Sequence, residues 1–68
     1  MYIIQEIQTT GGVAALLSPV IYTDSNEADS AYYAKLSAAA ISQIETHTIM
    51  MHDEYGNIYR VDWYSHQA

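Results

Sequence analysis

The chain has no cysteine, so no disulfide can brace it, and its histidines and carboxylates are not spaced as a structural zinc site would need. A core built from 68 residues rarely supplies more than about 3–5 kcal/mol, and chains of this size lean on disulfides, metals or oligomerisation. With the first two missing and half of the residues hydrophobic, a homo-oligomer is expected, a subunit that hides apolar surface against copies of itself. Basic residues are scarce as well. Lys35 and Arg60 stand alone against eight acids, for a net charge of −6. A nucleic-acid binder neutralises phosphates with lysine and arginine, so the composition excludes nucleic acid as a partner. It excludes a polybasic membrane patch for the same reason. Long hydrophobic runs are also lacking: Val13 to Leu17 falls far short of the ~20 residues that span a bilayer. The opening MYIIQEIQTT has no basic n-region of the kind that starts a signal peptide, and the expectation is a cytoplasmic protein. One domain, residues 1–68, fits the length.

What is present has a clear order. Tyr2 to Thr9, rich in isoleucine and tyrosine, reads as a strand. Thr10-Gly11-Gly12 is a turn, since two glycines supply the positive φ of a tight connection. Val13 to Tyr22 is a second extended segment, and Pro19 makes it an edge strand or breaks it near Ser18-Pro19. Asp24 with Glu27 three residues later fits a capping box, and the alanine-rich stretch from about Ser25 to Ser42 is a helix. On it Ala28, Tyr32, Leu36 and Ala39 share one face. Glu45 to His52 alternates, with His47, Ile49 and Met51 on one side; Gly56 is the left-handed residue of a hairpin loop. Ile58 to His66 alternates again, with Tyr59, Val61 and Trp63 as its apolar face and Trp63 expected to be buried. The expected fold is α+β: strand-strand-helix-strand-strand, an antiparallel sheet with one helix packed on one face. One helix covers one face only, which leaves Met50, Ile58 and Tyr64 on the other and gives oligomerisation a second argument.

Catalytic chemistry finds no constellation. The serines lack a nucleophile-elbow context, no glycine-rich phosphate loop occurs, and Asp53 with Glu54 is a pair of adjacent loop acids. His47 and His52 lie five apart on a strand, on opposite faces, and make a poor metal pair. No enzyme, cofactor or metal is expected. The aromatic set is more telling: seven tyrosines and one tryptophan, with no phenylalanine. Tyrosine pairs a flat stacking face with a polar tip, which suits interfaces and pockets for planar ligands. Arg60, Tyr64 and His66 share a face, and with Tyr59 and Tyr55 they form the candidate ligand site, placed at a subunit boundary. Core and oligomer packing is the competing account of the aromatics, and an ion pair with Asp62 or with an acid on the neighbouring strand, such as Glu45, the competing account of Arg60.

Three segments carry a resemblance: YIIQEIQT, TDSNEADSAYYAKLSAAAIS and HTIMMHDEYGNIYRVDWYSH. In overall layout, and in an Asn-Glu-Ala helix start followed by an alanine run, they resemble short uncharacterised proteins of tailed phages and prophages of gut Firmicutes. The resemblance contains no catalytic motif and assigns no residue a role. It implies either a virion or assembly component or an accessory protein that blunts a host defence. Together with the aromatic set it gives the leading expectation, a non-enzymatic homo-oligomer that sequesters a nucleotide-like immune signal. An acidic inhibitor of a host enzyme and a virion assembly protein are the alternatives.

Overall fold

Gly11 and Gly12 adopt φ of 59° and 79°, the backbone of a tight hairpin that only glycine enters freely. In the computed structural model, which describes residues 1–66, they join β1 (Tyr2–Thr10) to β2 (Val13–Leu16). The second extended segment then breaks at Ser18-Pro19 and resumes as β3 (Val20–Tyr22). Both pieces pair with β1, β2 along its C-terminal half and β3 along its N-terminal half. They form one interrupted edge, tied between the pieces by Leu17 N–H donating to Glu6 C=O at 2.9 Å. The break expected near Ser18-Pro19 is found, because proline lacks the N–H a continuous ladder needs, and it turns the expected four-strand order into five strands.

Asp24 ends the extended backbone and caps α1 (Ser25–Ala40), its Oδ2 accepting from Glu27 N–H at 2.9 Å. β4 (Thr46–His52) and β5 (Ile58–Ser65) complete an antiparallel sheet in the order β2/β3, β1, β4, β5. Between them Asp53 holds the loop: its Oδ1 accepts from Tyr55 and Asn57 N–H, and its Oδ2 from the Asn57 side chain. Gly56 takes the left-handed position at φ 86°. No helix among the described residues is long and apolar enough to cross a membrane.

The core is the layer between α1 and the sheet: Ala28, Tyr32 and Ala39 from the helix, Ile4 from β1, Ile49 and Met51 from β4. The expected helix face and the expected parity of β4 both hold. β5 differs. Met51 pairs with Arg60, but His52 pairs with Ile58, so Tyr59 is an extra residue. This bulge puts Tyr59 beside Arg60 on the helix side, where its ring meets Tyr2 at 5.6 Å. Beyond it, Arg60, Asp62 and Tyr64 pair with Met51, Ile49 and His47, and so lie under the helix with them. Val61 and Trp63 therefore face away. Trp63 is 67% exposed, which corrects the expectation that it is buried, and Tyr64 moves from the open face to the helix side.

Small residues let α1 sit close to the sheet, and Ala39 is buried while Ala34 is exposed. Ala39→Leu should lower the free energy of urea unfolding by roughly 1–3 kcal/mol through overpacking. Ala34→Leu should change it by less than about 0.5 kcal/mol. Equal effects at the two positions would contradict this helix orientation.

Candidate binding surface

The two faces of the sheet differ sharply in polarity. On the helix side, Tyr32 is fully buried, and its hydroxyl donates to Asp62 Oδ2 at 2.6 Å with the Ile49 carbonyl oxygen at 3.2 Å. Burial first, and then the carboxylate beside it, push the phenol well above its ordinary pKa, so the hydroxyl stays a donor. The Arg60 guanidinium lies 4.6 Å from the Tyr32 ring centroid and 4.7 Å from that of Tyr33, with Asp62 Oδ2 at 4.0 Å. The sole arginine is therefore engaged in joining β5 to α1.

A second polar cluster lies toward the C-terminal end of the helix. His47 is buried; its Nδ1 donates to Glu6 Oε2 at 2.8 Å, and its Nε2 meets Ser42 Oγ at 2.9 Å. Lys35 Nζ stands 3.6 Å from the other Glu6 oxygen. Burial alone would raise the Glu6 pKa. Hydrogen bonds from Gln8 and His47, with the positive charges of Lys35 and His47, outweigh it and hold the group below its ordinary 4.5. His66 Nε2 donates to the Ala39 carbonyl at 2.8 Å and satisfies an end of the helix.

Of the five residues singled out from the sequence, Tyr64 and His66 meet, stacked at 6.2 Å. Arg60 lies on their side of the sheet but turns into the tyrosine clamp. Tyr59 packs on Tyr2, and Tyr55 stands out from the hairpin loop, 84% exposed. They do not converge on one cavity. Among the described residues no group of three or more His, Asp or Glu is placed to hold a metal ion.

The other face is the more distinctive surface. Strand register places on it Leu16 and Ile21 of the interrupted edge, Ile3 and Ile7 of β1, Thr48 and Met50 of β4, and Ile58, Val61 and Trp63 of β5. Leu16, Ile21, Ile58, Val61 and Trp63 are all exposed. Its polar members include Gln5 and His52, joined at 2.7 Å; among the described residues no Asp, Glu, Lys or Arg belongs to it. Most of this patch is hidden in the sequence, because Tyr59, Val61 and Trp63 alternate as a buried stripe would and β1 carries isoleucine on both of its faces. The alternation of Ile3 and Ile7 with Ile4 and Glu6 was the available signal.

Fold and surface together define an α+β protein with a one-sided sheet and an open, apolar, uncharged face. Comparison with family models, curated proteins and solved structures finds no match to this chain.

Two outcomes follow from the helix side. Tyr32→Phe should destabilise the fold by roughly 0.5–2 kcal/mol in urea unfolding, by stranding the acceptors of its hydroxyl; no change would mean the hydroxyl carries no stability. Glu6 is held ionised by the fold, so its contribution is complete above its ordinary 4.5 and is lost as pH falls through the lowered folded value. Glu6→Gln should therefore lose less stability than the parent chain between pH 6 and pH 3, read as the shift of urea midpoint. An identical acid loss in both proteins would show that Glu6 ionisation is not coupled to folding.

Proposed function

We propose that the chain is a non-enzymatic, self-associating binding subunit whose open sheet face is buried against a second copy. The observation that carries this reading is the absence, among the described residues, of Asp, Glu, Lys and Arg from that face in a protein with a net charge of −6. Interface centres are depleted of charge and enriched in aromatic anchors, and Trp63 would supply one at a place where a monomer gains nothing from it. Size supports it as well. Four strand columns about 4.8 Å apart, each about eight residues long, give a flat footprint of about 500 Å2. That is near the upper end of what monomers expose, about 300–600 Å2. The accessible area of a face carrying exposed Trp63, Leu16 and Ile21 exceeds its flat footprint.

Among the settings implied by the phage resemblance, the geometry favours an assembly component over a trap for a nucleotide-like signal. An anionic ligand needs a cation, and both side-chain cations are engaged within the fold, Arg60 between two tyrosines and Lys35 with Glu6. An acidic inhibitor of a host enzyme would use the charged helix side and leave the apolar face unexplained.

Sedimentation at micromolar concentration should give a mass of at least twice 7.6 kDa. Emission from the sole tryptophan should shift to the blue as association proceeds. Trp63→Asp places a charge in the face and should yield monomers with unchanged far-ultraviolet circular dichroism. A parent chain that stays monomeric at all concentrations tested would refute the reading.

A further inference from the structure

β5 is the outer strand on the side of the sheet opposite the β2/β3 edge, and it differs from that edge in having no proline and no break between Arg60 and Ser65. Its free main-chain groups can be assigned. His66 N–H donates to the Glu45 carbonyl at 2.7 Å, so Glu45 and His66 form a hydrogen-bonded pair. In an antiparallel ladder such pairs alternate, and the even residues Arg60, Asp62 and Tyr64 turn their N–H and C=O toward β4. Val61, Trp63 and Ser65 turn theirs outward, away from β4. Trp63 is also one of the most exposed large hydrophobic residues, at 67%. A regular, unprotected edge of this kind is a template for another strand.

We infer that β5 pairs antiparallel with β5 of a second copy, about a two-fold axis centred on Trp63. This rests on the self-association proposed above and adds a second contact to it. Five registers bring outward groups together. Centring on Tyr64 or Ser65 runs off the strand, which ends at Ser65, and leaves two hydrogen-bonded pairs or one. Centring on Val61 carries the strand into the second copy's bulge at Tyr59, where the outward pattern ends, and leaves one hydrogen-bonded pair. Centring on Asp62 sets two carboxylates directly opposite each other, which is repulsive. Centring on Trp63 uses only the regular stretch. Val61 meets the second copy's Ser65, Trp63 meets its own equivalent, and Ser65 meets Val61. Each such pair exchanges two bonds, for about six in all. Asp62 then lies opposite a tyrosine, the second copy's Tyr64, and no like-charged acids meet.

Residues directly opposite in a sheet point to the same side, so both helices lie on one face and the two apolar faces merge into one of about 1,000 Å2. The merged face is too large to remain exposed on a soluble particle. Two such pairs packing face to face give a four-chain particle with twofold symmetry throughout.

Amide hydrogen exchange tests the register, at a concentration where sedimentation detects no monomer. The N–H groups of Val61, Trp63 and Ser65 should all exchange at least about a hundredfold more slowly than free peptide. Sedimentation should give four copies. Free-peptide rates at all three positions in an associated sample would overturn the edge pairing and leave the face-to-face reading standing. Protection of Val61 alone would overturn the Trp63 register in favour of the one centred on Val61. A chain that remains monomeric at every concentration removes both readings.

Discussion

A tyrosine hydroxyl under α1 is central to the arrangement of this protein. Tyr32 is the largest fully buried side chain, and a buried phenol without a partner would cost about 1–3 kcal/mol. Its acceptors are the Ile49 carbonyl and the Asp62 carboxylate, the latter delivered from β5. The bond to the carboxylate goes with one parity of that strand. If Asp62 points to the helix, Trp63 points away, because successive side chains of a strand alternate. Arg60 follows Asp62 inward and covers the tyrosine ring, which neutralises the carboxylate locally and closes the helix side. The bond from Tyr32 to Asp62 and the exposure of Trp63 thus go with one strand parity.

The two faces are separated by chemistry. The charged residues of the strands, Glu6, Arg60 and Asp62, lie on the helix side, where His47, Lys35, Tyr32 and Tyr33 give them partners. The opposite face is left with Ile, Leu, Met, Val, Trp and neutral polar groups. A solvated antiparallel sheet ordinarily shows polar residues on its outer face, so this face is the unusual one. A protein of net charge −6 has no shortage of charge to place there. Its distribution is what an interface needs, since buried unpaired charge is the most costly content an interface can have.

The parts of the fold legible in the sequence are those set by neighbours along the chain. Gly11-Gly12 gives its turn by φ alone, Asp24 caps the helix three residues ahead, and Pro19 interrupts an edge because it has no N–H to donate. The parity of β4 was legible because Ile49 and Met51 alternate with Thr48 and lie next to a well-defined loop. β5 was not, for two reasons. Tyr59, Val61 and Trp63 look like a buried stripe when counted by twos, but the bulge at Tyr59 breaks the count. And hydrophobicity argues for burying Trp63, whereas the helix presents a hydroxyl that needs a carboxylate. Tertiary satisfaction of a polar group overrode the local pattern. The candidate ligand residues failed to converge for the same reason: Arg60 belongs to the clamp over Tyr32, and Tyr59 to the bulge.

The oligomer argument changes character once the faces are assigned. From composition it was an argument about deficit, that a chain this small and apolar needs help to fold. The structure places a packed layer between α1 and the sheet, with a central tyrosine whose hydroxyl is satisfied and with no buried side-chain polar atom unpartnered among the described residues. The helix side is therefore complete in one chain. What remains incomplete is the surface, an apolar face and a regular strand edge that meet at Trp63. These are different interactions, one non-directional and proportional to area, the other directional and set by register. Association through the face alone would tolerate many orientations of two similar sheets. The edge admits few registers, and the bulge at Tyr59, the carboxylate at Asp62 and the strand end at Ser65 disfavour all but the one proposed above. In this sequence the residues that hold the helix to the sheet thus also set out the apolar face and the outward groups of β5 on which the proposed pairing rests.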